Sequence, residues 1–377
     1  MTTPAPGRSR DPLAIAVPSS AINHSRVVRS RGHVARLHRL NHDTFELVVA
    51  CAAGSRPLAA RAGQFATLAV AGVERPRPYS FARDPRAEAP GEHTFHIRLV
   101  PGGAMSAWLA AGDRTGERIE IAGPLGSFGL DDSASPMLLL AGGSGFSAIK
   151  ALSEAACRRQ LARDCVVVHG ARTRADLYGA DDMARIAASW HPAHRFTFVQ
   201  VLSEEPRDSP WAGARGLVTD AMREVMRNGA LGSGAPGPAA LRAWVCGPPP
   251  MITAARAALL AAGVPAAHVY VDVFADARSP APVIDNRQCV LCDECLLVRP
   301  VAGCIVETGH LEAGADGRLQ GHAPLRPTLT AGLYYNALVV DAAACLRCYA
   351  CVSACPHGAI SPDYAPRANS LRGDAAW

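Results

Sequence analysis

The sequence predicts three successive domains: an antiparallel β-barrel, a doubly wound α/β domain, and a small α+β domain organised by cysteines. Three observations predict it. Apolar residues alternate with period two from about Gly32 to Gly129. Compact apolar strands alternate with helical segments from Pro136 to Phe274. Eight of the twelve cysteines fall after residue 288, in two tight groups. A length of 377 residues is two to three domains of about 150 residues each. With 49% apolar and 19% charged residues the chain is too hydrophobic to be disordered. The expected divisions are a tail over 1–30, the barrel over 31–134, the α/β domain over 135–276, the cysteine domain over 283–365 and a second tail over 366–377.

Charge and hydropathy exclude several functions. A net charge of +5 is slight, and the basic residues are scattered, so no tract neutralises a row of phosphates and nucleic acid is not an expected partner. Lys150 is the sole lysine. No run approaches the roughly 18 to 20 apolar residues of a membrane span, and the first 30 residues lack the apolar stretch of a secretory signal. A cytoplasmic protein is expected.

In the barrel, the runs HVARLHRL, DTFELVVA, QFATLAVA, RPYSFA, TFHIRLV and RIEIAG each put one face into a core, which reads as six strands. A helix over Ala104 to Ala111 interrupts them, directly after Pro101-Gly102-Gly103. From Pro136 the runs MLLLAGG, CVVVHGA, HRFTFVQVL, LRAWVCG and HVYVDVF are apolar along their length. They are separated by helical segments, the pattern of a parallel sheet covered on both faces. Residues 229–240, rich in Gly, Pro and Ala, read as a surface loop. After Phe274 a linker, ADARSPAP, leads into about 80 residues, too few for a large core without bound clusters.

The cysteine spacing is the most specific signal. Cys345-x2-Cys348-x2-Cys351-x3-Cys355-Pro356 is the bacterial ferredoxin run, in which three cysteines wrap one [4Fe-4S] cube and the fourth ligates the other cluster. Cys289-x2-Cys292-x2-Cys295-x8-Cys304 repeats the triplet with a remote fourth cysteine. Crossing the fourth ligands gives one cluster on Cys289, Cys292, Cys295 and Cys355, and a second on Cys345, Cys348, Cys351 and Cys304. Zinc favours paired C-x2-4-C sites and fits this poorly. In the first group x8 replaces x3 and Ile305 replaces the proline. The 40 residues between Cys304 and Cys345 imply an inserted hairpin.

Arg77-Pro78-Tyr79-Ser80 ends a barrel strand and supplies what a flavin needs: a cation for its phosphate, an aromatic face, and a hydroxyl near N5. VPGGAMSAWL sets Gly102, Gly103 and Ser106 at a helix start, suited to a pyrophosphate. LLLAGGSGF runs a strand into a glycine-rich helix start, suited to a dinucleotide phosphate. WVCGPPPM puts Cys246, Gly247 and Pro248 at the carboxyl edge of a strand, where doubly wound sheets bind ligands. Cys51, Cys157 and Cys165 read as small buried residues.

Taken in order, GQF, RPYS, VPGGAMS, AGGSGF, GARTRADLY, VCGPPPM and VDVF make Gly32 to Phe274 resemble the ferredoxin-NADP reductase superfamily, closest to the reductase components of bacterial oxygenases. The last 80 or so residues resemble a dicluster bacterial ferredoxin. The resemblance implies FAD on the barrel and NAD(P)H on the α/β domain. It places Arg77, Pro78, Tyr79 and Ser80 on the flavin, Gly102, Gly103 and Ser106 on its pyrophosphate, and Gly142, Gly143, Gly145, Arg172, Gly247, Pro248 and Phe274 in the cofactor sites. Ser80 and Cys246 are the candidate catalytic residues, at the hydride-transfer position. Two departures stand out. Ala148 occupies the place of the proline that the family's glycine loop carries, and two [4Fe-4S] clusters replace the usual [2Fe-2S] domain.

The implied function is electron transfer from NAD(P)H through FAD and two [4Fe-4S] clusters to a partner protein, an oxygenase component. The alternatives are an electron-transfer subunit of a stable multi-subunit redox complex and a redox sensor without turnover. Arg172 and Arg174, after the second strand of the nucleotide domain, permit NADPH, while the same segment in similar oxygenase reductases goes with NADH, the coenzyme favoured here.

Overall fold

The computed structural model describes residues 27–228, 237–273, 279–308, 311–313, 319–321 and 337–361. The described residues divide into two compact units, one within Val27–Ala275 and one within Asp276–Trp377. Residues 1–26 of the first expected tail, the second tail, residues 229–236 of the expected loop, and Phe274 lie outside the described residues, while Val28 to Ser30, expected in the first tail, begin the first strand.

The first unit opens with six antiparallel strands, β1 (Val28–Arg39), β2 (Thr44–Cys51), β3 (Phe65–Val70), β4 (Arg77–Ser80), β5 (Glu92–Arg98) and β6 (Arg118–Leu125), with α1 (Ala104–Ala110) between β5 and β6. Their order is β4-β3-β6-β1-β2-β5, and a bridge from Phe81 to Phe95 of β5 draws the two edges together into a barrel. Its core is Val34, Leu47, Val49, Leu68, Phe81, Phe95 and Ile97. In β2 the period-two pattern gives way to a buried run, Leu47 to Val49, and in β5 to one from His93 to Ile97. The cause in β5 is tertiary: on its outer side His96 packs edge-on against Tyr178 of the α/β domain, ring centroids 5.3 Å apart.

That domain holds β7 (Met137–Gly142), α2 (Phe146–Arg158), β8 (Cys165–Ala171), α3 (Ala180–Ala188), β9 (Phe196–Leu202), β10 (Ala214–Arg215), α4 (Val218–Arg227), β11 (Arg242–Gly247), α5 (Pro249–Ala261) and β12 (Val269–Val273). The sheet is parallel throughout, in the order β10-β9-β8-β7-β11-β12. Every residue of β7 is buried, as a central strand covered on both faces requires. Leu139, Phe146, Ile149 and Trp244 fill one face, and Leu138, Val166, Val245, Met222 and Leu259 fill the other. The chain reverses its direction of winding between β7 and β11, so their carboxyl ends open onto the crevice where such sheets bind ligands.

In the second unit, β13 (Val283–Ile284) pairs with β18 (Ile360–Ser361), and β14 (Ile305–Thr308) pairs with β17 (Ala337–Val340). Between β14 and β17 lies the expected hairpin, β15 (Leu311–Ala313) against β16 (Leu319–Gly321). The helices α6 (Glu294–Leu297) and α7 (Ala350–Ala354) each follow a cysteine pair. Ile284, Leu291, Leu296, Ile305, Leu338 and Ile360 form the core, and Cys295 and Cys304 are part of it. Among the described residues no helix is long and apolar enough to cross a membrane.

Candidate functional site

Strand β4 brings RPYS to the rim of the barrel. Tyr79 packs on the barrel core, and burial raises its phenol. Ser80 is 3% exposed, and its hydroxyl donates to Asp272 Oδ2 of β12 at 3.5 Å. The same carboxylate oxygen lies 3.7 Å from Cys246 Sγ at the end of β11. Residues from three strands of two domains therefore converge on one carboxylate. Burial pushes Asp272 up to about 6, and burial, then the neighbouring carboxylate, keeps Cys246 a neutral thiol. Asp272 was absent from the sequence candidates. Its signal was a lone carboxylate inside the apolar run VYVDVF.

At α1, Gly102 adopts φ +71° and Gly103 is the N-cap. Ser106 Oγ accepts the Val100 N–H at 2.7 Å, so this side chain knots the turn that presents the helix start. After β7 the glycines are dictated by packing. A Cβ at Gly142 would meet Met251 Sδ at 2.4 Å, and one at Gly145 would meet the Cys246 carbonyl oxygen at 2.3 Å. Gly143 is held at φ +53°. Ala148 continues α2 without interruption, fully buried.

The loop borders a cleft of about 280 Å³ lined by Gly142, Gly143, Arg98, Arg172, Tyr178 and Pro248. Arg98 Nε donates to Asp43 Oδ2 at 2.7 Å, and the Tyr178 hydroxyl is buried with no hydrogen-bond partner among the described residues. A cradle that admits no Cβ and an orphaned hydroxyl at the sheet's switch point fit a dinucleotide. Farther out, Arg172 is paired with Asp176 at 3.1 Å and Arg174 with Glu205 at 3.2 Å.

The sole lysine, which sequence reasoning passed over, is 1% exposed at the junction of the two domains. Its ammonium donates to Glu154 Oε1 at 2.6 Å within α2 and to the Ala82 carbonyl oxygen of the barrel at 3.3 Å. A buried charge held this way fixes geometry more than it adds stability.

In the second unit cysteines of both groups pack into the core. Cys289, Cys292, Cys295 and Cys355 line one small cavity with Ile284, Leu338 and Ile360. Burial, then repulsion from Cys289, Cys292 and Cys355, pushes Cys295 up to about 12. Burial pushes Cys348 up to about 12, with Cys304 and Cys345 beside it, and Cys304 up to about 11, with Cys345 beside it. Cys351 is raised by burial and by neighbours in both sets. Burial raises five of these thiols, Cys289, Cys295, Cys304, Cys348 and Cys351, and cysteines packed together in this way form a donor set suited to an iron–sulfur cubane. Among the described residues, five non-glycine positions have positive φ. Four of them, Leu291, Asp293, Arg347 and Tyr349, flank the middle cysteine of each triplet and wrap the chain around it.

Comparison with known proteins agrees with this layout. Residues 31–129 match the oxidoreductase FAD-binding domain, residues 139–257 the oxidoreductase NAD-binding domain, and residues 338–361 the 4Fe-4S binding domain. The chain is 36% identical over 241 residues to the xylene/toluene monooxygenase electron transfer component of Pseudomonas putida, covering 64% of each chain. It is 31% identical to the naphthalene 1,2-dioxygenase system ferredoxin–NAD(P)+ reductase component of the same species, over 69% of this chain and 74% of the relative. Among solved structures, the Amycolatopsis cytochrome P450 reductase is 32% identical with a TM-score of 0.57, over 66% of this chain and 71% of that one. The chain spans 55 to 64% of the length of the first relatives it matches.

Proposed function

Because the chain belongs to the ferredoxin-NADP reductase superfamily, alongside the reductase components of oxygenase systems, we propose that it carries electrons from NADH through FAD and two [4Fe-4S] clusters to an oxygenase component. The observation that carries this reading is the meeting of Ser80, Cys246 and Asp272 beside a glycine-lined dinucleotide cleft. Bound FAD supplies the conversion of a two-electron hydride into single electrons, which the clusters accept one at a time.

The chain's own residues bind and orient. Arg77, Pro78, Tyr79 and Ser80 hold the flavin, and Gly102, Gly103 and Ser106 its pyrophosphate. Gly142, Gly143, Gly145, Arg172, Gly247 and Pro248 hold the nicotinamide dinucleotide, with Tyr178 and Arg98 added by the cleft. Asp272 fixes the Ser80 hydroxyl and the Cys246 thiol at the hydride-transfer position and is a positioning residue. Cys289, Cys292, Cys295 and Cys355 hold one cluster, and Cys345, Cys348, Cys351 and Cys304 the other.

Ion pairing supports NADH over NADPH. Both arginines that could receive a 2′-phosphate already face carboxylates, so NADPH binding must break an existing pair.

The test uses the anaerobically purified full chain. About one FAD and about eight irons per chain are expected, with rapid NADH-dependent reduction of an artificial acceptor. A chain without flavin, or with about four irons, overturns the scheme. A flavin- and iron-loaded chain that stays inactive until another subunit is added supports the multi-subunit alternative instead.

A further inference from the structure

The two cysteine triplets are repeats of one another, and their differences are electrostatic. CVLCDEC (289–295) aligns with CLRCYAC (345–351), so Leu291 stands where Arg347 does, Asp293 where Tyr349 does, and Glu294 where Ala350 does. The backbones match: all four residues flanking the middle cysteines have φ between +52° and +62°. In the second triplet the Arg347 amide lies 3.4 Å from Cys345 Sγ, and in the first the Leu291 amide assists Cys289 in the same way. Beyond this shared amide, side-chain charge differs between the sites.

At the second site the Arg347 guanidinium is fixed against the triplet. Its Nη1 donates to the carbonyl oxygens of Cys345 at 2.6 Å and Ala342 at 2.7 Å, and its Nε donates to that of Ser279 at 3.3 Å. Arg299 adds a second cation, its Nη1 donating to the carbonyl oxygen of Ile305, next to Cys304, at 2.8 Å, and it is partly offset by Glu307 at 3.7 Å. At the first site Asp293 is 6% exposed and lines the same small cavity as Cys289, Cys292, Cys295 and Cys355. One site therefore has a buried anion at the position where the other has a neutral tyrosine, and a leucine where the other has a cation.

Adding an electron to a cluster adds negative charge, which a nearby cation favours and a nearby anion opposes. On the two-cluster reading proposed above, we infer that these side chains split the reduction potentials, making the cluster of Cys345, Cys348, Cys351 and Cys304 the easier to reduce. A single electron delivered to this domain then rests on that cluster, and the cluster of Cys289, Cys292, Cys295 and Cys355 fills second. Each reduction is a one-electron step, the electron coming from reduced flavin or, in the test, from dithionite.

The test is a potentiometric titration of the full chain at pH 8.5, followed by electron paramagnetic resonance, with iron and sulfide measured on every sample. Two one-electron midpoints are expected. Arg347→Leu is expected to move the upper midpoint down by at least the tenfold equivalent, 59 mV for one electron, and Arg347→Lys to restore most of it. Asp293→Asn is expected to move the lower midpoint up, and asparagine suits positive φ, so this variant carries the test if Arg347→Leu loses iron. The inference is overturned if Arg347→Leu shifts the lower step, if Asp293→Asn shifts the upper one, or if iron-replete variants change neither equilibrium by twofold. A wild-type chain holding about four irons defeats the two-cluster reading itself, which is a different result.

Discussion

The two units stand in opposite relations to their cofactors. In Val27–Ala275 the barrel core and the two faces of the parallel sheet are closed by Leu, Val, Phe and Trp side chains, and the functional residues sit where those elements end. In the second unit cysteines are themselves core residues, and only a handful of aliphatic side chains surround them. On the proposed cofactors, a flavin would be a guest in a fold with a core of its own, whereas iron–sulfur ligation would be a structural member of the cysteine unit.

Iron removal gives the largest expected difference. Chelation under oxidising conditions is expected to abolish the compactness of the cysteine unit while leaving the reductase unit folded and able to bind FAD. Limited proteolysis would then leave a resistant fragment ending near Ala275, and a cysteine unit that stays resistant without iron would break the comparison.

Next in size is a property of the dry core alone. His169 is fully buried on β8, stacked on Phe146 with ring centroids 4.1 Å apart, and burial pushes it down to about 4 from 6.5. Above pH 6.5 the imidazole is neutral in both folded and unfolded chains. As pH falls from 6.5 towards 4, the unfolded chain binds a proton that the fold refuses, and about 3 kcal/mol of stability is lost. His169→Leu is expected to flatten that acid slope in denaturant titrations of the reductase unit. An unchanged slope would show that the core is wetter than its packing implies.

Asp272→Asn separates site from fold within the reductase unit. The carboxyl titrates near 6 in the fold against 3.8 unfolded, so keeping it ionised above pH 6 costs stability, and that cost fades as pH falls towards 4. The asparagine variant is therefore expected to be no less stable at pH 7.5. NADH oxidation is expected to slow by roughly tenfold, ~1.4 kcal/mol, the scale of one hydrogen bond to a charged group. Its pH profile is also expected to lose an inflection near 6. A large fall in thermal midpoint would mean that Asp272 belongs to the fold after all.

Legibility in the sequence followed contact range. The barrel strands, the parallel strands and the cysteine triplets are local patterns, and the triplet spacing alone states what the thiols can wrap. The hairpin between Cys304 and Cys345 was legible as a length that needed a fold. Other features required the tertiary structure. Asp272 meets Ser80 across 192 residues, and His96 is buried because a second domain covers the outside of β5. Lys150 reads as an ordinary helix charge until Ala82 and Glu154 close around it. The charge difference between the triplets was written in CVLCDEC and CLRCYAC, but its weight depends on the backbone that turns Arg347 onto its own cysteine.

The smallest expected effect concerns coenzyme choice, at the rim of the cleft where fold and site are hardest to separate. Glu205 receives both the Arg174 backbone N–H at 2.9 Å and its guanidinium at 3.2 Å, so one carboxylate neutralises this cation of the segment after β8. Arg174 is half exposed, and the pair is a weak surface ion pair. Glu205→Gln keeps an acceptor for the backbone N–H and releases the guanidinium. The ratio of kcat/KM for NADPH over NADH is therefore expected to rise modestly, by roughly fivefold or less, with the NADH value little changed. The gain should shrink as salt is added, because an exposed cation meeting a phosphate is screened. A ratio that does not move would place the 2′ position away from Arg174 and leave Arg172, paired with Asp176, to decide the preference.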